Sequence, residues 1–175
     1  MKVSSLLLFV MIVASLQTFS QKKGIVQISL DPTMLVNGPY SDSKNGALDF
    51  LMKAAIGNSK NELGLYFEKF KAMEYTSAGI LFNHKMELAK VSSVLSNMIG
   101  LIGLDAGYIR RNQSKVSRTS DSFTVSLNAE LRYLVSKNFG INLTSNYRVR
   151  GDLIDLYNDK TPFIFSGYVG LFVII

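Results

Sequence analysis

Residues 121–150 read DSFTVSLNAELRYLVSKNFGINLTSNYRVR, and their spacing decides the fold. Phe123, Val125, Leu127, Ala129, Leu131, Tyr133 and Val135 fall on one parity. Thr124, Ser126, Asn128, Glu130, Arg132 and Ser136 fall on the other, with Leu134 the one exception. After Ser136-Lys137-Asn138 the alternation resumes. Phe139, Ile141, Leu143, Tyr147 and Val149 oppose Gly140, Asn142, Thr144, Asn146, Arg148 and Arg150. A period of two is the mark of a strand, because successive side chains point to opposite faces. The short polar break makes the pair a hairpin. Each arm outlasts the strand of about 5–6 residues usual in soluble domains. It is long enough to cross a bilayer, where a tilted strand needs about 9–11 residues.

Working outward, the same alternation recurs. It predicts strands at about 24–31, 47–57, 62–71, 78–90 and 98–110 ahead of the hairpin, and at 163–175 after it. Residues 69–74 fit poorly and read as helical, and DPTMLVNGPYSDSKNG, RRNQSKVSRTSDS and GDLIDLYNDKTP read as loops. The total is eight strands. A helical membrane span over 94–109 is disfavoured by Asp105, Gly100, Gly103 and Gly107.

Composition narrows the class. The chain has 175 residues, 47% hydrophobic and 18% charged, which suits one ordered domain rather than a disordered chain. It has no cysteine, so disulfides and thiolate metal sites are excluded. The formal charge of +6 could suit an anionic partner. Its basic residues lie in or between strands rather than on a groove-reading helix, so nucleic acid is not an expected partner. Residues 1–20 form a separate unit, with Lys2, an apolar stretch from Leu6 to Val13, and small residues Thr18 and Ser20. That pattern predicts a signal peptide cleaved before Gln21, leaving a single domain over 21–175. No cysteine follows to carry a lipoprotein anchor.

Alternation does not say which face is inside, and a soluble lipocalin-like barrel would bury the apolar one. Three features favour the reverse. Leu, Ile, Val, Phe and Tyr crowd one face, whereas Gly64, Gly103, Gly107, Gly140, Gly170, Ser126, Asn128, Thr144 and Asn146 make the other lean. An eight-stranded barrel has room inside only for filling side chains. Asp49, Lys53, Glu68, Lys85, Glu87, Asp105, Glu130, Arg132 and Arg148 share the polar face, with both signs present. They are predicted to pair in a closed lumen, since buried charge is tolerable only when paired. Breaks after the second and sixth strands are short, while those after the first, fifth and seventh are long. Short turns at one end and long loops at the other are expected of outer-membrane barrels. Tyr108, Tyr133, Tyr147, Phe123, Phe139 and Phe163 lie toward strand ends on the apolar parity, where aromatic girdles belong. The predicted fold is therefore all-β: a closed, eight-stranded, antiparallel, up-and-down transmembrane barrel.

On these residues the chain resembles the small eight-stranded outer-membrane barrels, the group that includes OmpX and the OmpA membrane domain. Its ending YVGLFVII is similar to the C-terminal signal read by the barrel assembly machinery, with Tyr168, Gly170, Val173 and Ile175 in the patterned places and Ile where Phe is common. A signal peptide with Ser-Gln at its cleavage site resembles those of the Bacteroidota. The resemblance implies a place in the outer membrane of a Gram-negative bacterium. It also implies lipid, lipopolysaccharide and the assembly machinery as partners, and extracellular loops for adhesion, envelope integrity or a protein partner on either side. It carries no catalytic motif.

Chemistry finds little support. His84 is the only histidine and shares the outward parity of Phe82 and Met86. The His–Ser pattern of lipid A deacylase barrels and the loop His of lipid A palmitoyltransferase barrels have no match. Glu87 and Glu130 read more simply as partners of Lys85 and Arg132 than as an acid–base pair. No catalytic residue, metal ligand or cofactor is expected. Arg110, Arg111, Lys115 and Arg118 form a basic loop, the candidate contact for lipopolysaccharide phosphates or an acidic partner. A lipid A-modifying enzyme and a narrow porin-like channel stand as the alternative functions.

Overall fold

In a computed structural model, residues 23–39, 45–88, 95–113 and 118–175 are described. The predicted signal peptide, its expected cleavage site and Lys115 lie outside them. The strands are β1 (Lys23–Leu30), β2 (Asp49–Gly57), β3 (Asn61–Phe70), β4 (Tyr75–Glu87), β5 (Met98–Gln113), β6 (Arg118–Leu134), β7 (Phe139–Arg150) and β8 (Phe163–Ile174). Each pairs antiparallel with the next, and β8 returns to β1 to close the barrel. Closure runs from Ile25 opposite Ile174 to Leu30 opposite Val169. Among the described strands no edge is left open, as hydrocarbon requires.

The turn end of the barrel holds both termini of the described barrel and the connection at Ser136–Asn138. The loop end carries more structure than the sequence foretold. Helix α1 (Pro32–Asn37) follows β1. Asp31 caps it, its Oδ1 accepting from the amides of Thr33 at 2.8 Å and Met34 at 3.1 Å, with Pro32 in the first turn. An acceptor side chain before a proline is a helix-start signal that a reading of turn residues overlooks. Between β3 and β4 runs a 3-10 turn, Lys71–Met73, so the helical reading of 69–74 holds only past Phe70, where β3 ends. It closes on Glu74 in the left-handed region, φ 50°. Helix α2 (Gly151–Tyr157) follows β7 where a loop was expected.

The fifth loop is also shorter than expected, because β5 and β6 continue as a polar hairpin beyond the apolar belt. Arg110 stands opposite Asp121, and Arg111 opposite Ser120. Hydrogen bonding along the ladder needs no apolar face, and the inward side chains of this extension find partners on α2.

The polarity matches the transmembrane expectation and is the reverse of a soluble barrel. Gln27, Lys53, Glu68, Asp105, Asn128, Glu130, Arg132, Thr144 and Arg148 are buried in the lumen. Leu65, Ile80, Leu104, Leu127, Leu143 and Leu171 are exposed on the outer wall. The expected girdle residues Tyr108, Phe123, Tyr133, Phe139, Tyr147 and Phe163 are exposed too, and Tyr147 stacks on Phe163 with ring centroids 5.5 Å apart.

The lumen is not uniformly lean. Leu51, Ala55, Tyr66, Leu81 and Tyr168 form one inward apolar cluster, and Phe70, Tyr75 and Ile109 another. The glycines make room for them. A Cβ on Gly107 would fall 2.4 Å from Tyr66 Oη, and one on Gly140 2.5 Å from the Phe172 ring. Small and large residues interdigitate across strands, which a count along one strand cannot reveal.

Candidate functional site: the lumen charge network and its cap

Three groups of charge are stacked along the barrel. The first lies toward the turn end. Lys53 Nζ is 2.9 Å from Glu130 Oε2, and Arg132 Nε is 2.5 Å from Glu130 Oε1. Arg132 Nη1 then reaches Glu62 Oε1 at 2.7 Å, and Lys85 Nζ meets the same oxygen at 3.0 Å. Glu130 also accepts from Thr144 Oγ1 at 3.0 Å and Gln27 Nε2 at 3.3 Å. The result is a continuous chain of alternating sign: Lys53, Glu130, Arg132, Glu62, Lys85. Glu130 is fixed by contacts with β1, β2, β6 and β7, so one side chain ties four strands together. Arg132 also lies over the Phe172 ring, 5.5 Å from its centroid. Below, Lys23, Lys60, Lys85, Lys137 and Glu87 line an open vestibule of about 900 Å³.

The second group is central. Arg148 Nη1 pairs with Glu68 and donates to Tyr75 Oη at 2.7 Å. Its guanidinium lies 5.7 Å from the centroid of the Tyr66 ring. Asp105 accepts from Asn128 Nδ2 at 2.7 Å and Ser126 Oγ at 3.1 Å. Tyr168 Oη donates to Asp49 at 3.4 Å.

The third group closes the loop end. Arg150 grips Asp152 with two bonds of 2.6 Å, Nε to Oδ1 and Nη2 to Oδ2. Arg111 Nη1 meets Asp152 Oδ2 at 3.3 Å, and Arg111 Nη2 donates to Tyr157 Oη at 3.0 Å. Ser120 Oγ donates to Asp155 at 2.7 Å. Arg150 lies over the Tyr75 ring at 4.2 Å. Helix α2 is thereby pinned across the mouth, with Leu156 and Asp152 buried. Burial alone would push the Asp152 carboxyl up, but Arg150, and then Arg111, outweigh it and hold it below the usual carboxylate range.

Of the residues read from sequence, Asp49, Lys53, Glu68, Asp105, Glu130, Arg132 and Arg148 are buried inside, and Lys85 is partly buried at the vestibule. Glu87 departs from the expectation. It is exposed at the last position of β4, because the strand there has passed below the packed lumen. Arg111 is a second correction. Expected in a basic loop that contacts lipopolysaccharide phosphates or an acidic partner, it is 3% exposed and belongs to the cap. Arg110 and Arg118 are exposed, Arg110 Nε lying 3.9 Å from Asp121. Glu62 and Asp152 join the network without having been among the expected charges, and Arg150, expected only on the polar parity, grips Asp152. Glu62 shares the parity of Tyr66 and Glu68, so the signal for it was present.

His84 faces outward, its Nδ1 2.9 Å from Asn61 Oδ1. Among the described residues no three His, Cys, Asp or Glu side chains are grouped to hold a metal ion.

The sequence matches no protein-family model and no curated protein. Among solved structures, the N-terminal β-barrel domain of Pseudomonas aeruginosa OprF superimposes with a TM-score of 0.56 at 8% identity, over 88% of this chain and 97% of that one. The Yersinia pestis outer membrane protein Ail, in a phospholipid bilayer nanodisc, gives a TM-score of 0.53 at 12% identity, over 88% and 99%. The chain has the fold of the small eight-stranded outer-membrane barrels. A de novo designed transmembrane β-barrel gives a TM-score of 0.50 at 10% identity, over 88% and 94%. Shared architecture at such low identity is set by strand number, closure and reversed polarity rather than by particular side chains.

Proposed function

We propose that this chain is a non-enzymatic integral protein of the bacterial outer membrane, its barrel a rigid anchor with a filled lumen. Its loop end would offer a surface for adhesion, envelope integrity or a protein partner. The observation that carries this reading is the pairing of an apolar outer wall with a cross-braced ionic interior. The outer wall suits acyl chains. The interior bonds supply stiffness rather than a reaction centre, since among the described residues no nucleophile, base and orienting group converge as covalent catalysis needs. In this reading the turn end faces the periplasm, and α1, α2 and the β5–β6 hairpin face outward. Lipid and lipopolysaccharide are the surrounding partners. The C-terminal strand, which closes on β1, is the element offered to the barrel assembly machinery.

Planar-bilayer recording of the folded chain tests the filled lumen. The network and the α2 cap should leave little steady current, whereas large open steps would favour a channel. Mass spectrometry of lipid A from cells with and without the gene separates the anchor from a lipid-modifying enzyme: unchanged lipid A is expected, and an altered acyl pattern would reverse the reading.

A further inference from the structure

The outer wall carries a groove of about 730 Å³ where β2 begins and β3 ends, lined by Ala47, Leu48, Phe50, Lys69, Lys71 and Ala72. Phe50 and Lys69 are directly paired across the two strands. Lys69 extends the outward row of Leu63, Leu65 and Phe67, so an ammonium caps an apolar stripe at the loop end. Lys71 opens the 3-10 turn just above it. Both lysines are exposed, and neither has an ion-pair partner among the described residues. Helix α1 is tied to the rim by the Ala47 amide, which donates to Met34 O at 2.8 Å. Its Leu35 and Val36 are exposed, which extends apolar surface past the strand ends.

We propose that this groove is a binding site for a phosphorylated lipid of the leaflet at the loop end. The proposal rests on the transmembrane reading above, in which that leaflet is the outer one and the lipid is of the lipid A class. An acyl chain would lie along Leu48, Phe50 and Ala72. A phosphate would sit between the Lys69 and Lys71 ammonium groups, whose stems run along apolar surface while their heads reach the boundary. Without the lysines, the groove would take any acyl chain and select nothing. With them, it discriminates by headgroup charge. The basic stretch 110–118 is a weaker seat, because Arg111 is committed to Asp152 and Arg110 faces Asp121.

The test uses the folded chain in phosphatidylcholine nanodiscs doped with bis-phosphorylated lipid A, with bound lipid counted by native mass spectrometry. The wild type should enrich lipid A over its bulk share. The double variant Lys69→Gln/Lys71→Gln should lose about three- to tenfold of that enrichment. Ala72→Phe, which fills the groove and keeps both ammonium groups, should lose it too. Dephosphorylated lipid A should not be enriched. Equal enrichment in wild type and double variant, no enrichment by the wild type, or equal retention of the dephosphorylated lipid would each overturn the site. If the chain enters the nanodisc without lipid preference, only this inference falls. If it does not enter at all, the transmembrane reading falls with it.

Discussion

Lys53 and Glu130 meet in the lumen at 2.9 Å, with 3% and 0% of their side chains exposed. Glu130 also holds Arg132, so one carboxylate neutralises two cations. Glu130→Leu would leave both cations buried without it. Removing one partner of a buried pair typically costs about 3–5 kcal/mol. Urea unfolding from lipid vesicles should show Glu130→Leu destabilised by roughly that amount. Lys53→Met should cost less, because Glu130 keeps Arg132, Thr144 and Gln27.

Helix α2 should loosen in acid. Asp152 is held below its unfolded value, about 3.9 for a free aspartate. A depressed carboxyl contributes stability that is fully present above the unfolded value and is lost as pH falls through the folded one. Protection of the Gly151–Tyr157 amides, taken as exchange relative to the intrinsic rate at each pH, should therefore be high and flat above about pH 5 and fall as pH drops below about 4. Asp152→Asn should exchange fast throughout and show no such step. A step unchanged in that variant would assign the acid response to another group.

Gly107 is fixed by the company it keeps. A Cβ there would fall 2.4 Å from Ala78 O as well as from Tyr66 Oη. Gly107→Ala should destabilise the barrel by about 1–3 kcal/mol, the usual cost of overpacking. Because one clash is with backbone, Tyr66→Phe should not restore it. Heat-modified mobility in SDS electrophoresis would read both variants.

Leu104 and Leu127 face each other on the outer wall of β5 and β6, both more than half exposed. Leu104→Arg should cost about 2–4 kcal/mol, as a cation does near the bilayer midplane. A soluble barrel would tolerate or welcome that charge, so a neutral result would speak against membrane placement.

Much of this fold was legible because period two survives burial on either side. Parity alone put Lys53, Glu130, Arg132 and Arg148 on one wall, and closure brought the first three into one group and set Arg148 against Glu68. What stayed hidden had a physical cause in each instance. Polar sequence carries no burial signal, so Arg111 reads as loop, yet its ladder continues and turns it inward. Arg150 and Asp152 lie two residues apart, on the two sides of the end of β7, and only the α2 fold makes them bite. Glu87 shares the inward parity but lies beyond the packed layer, and parity says nothing of depth. Partner choice among the charges depends on strand stagger, which no single strand encodes.

The absence of cysteine from the sequence makes the decisive measurement clean. Single variants Leu127→Cys and Asn128→Cys place one fluorophore each on adjacent residues of β6, one outward and one inward. In vesicles containing brominated lipids, the label at 127 should be strongly quenched and the one at 128 nearly untouched. Quenching at 128 with protection at 127, or quenching at neither, would contradict a barrel that turns its apolar wall to lipid and its charges inward.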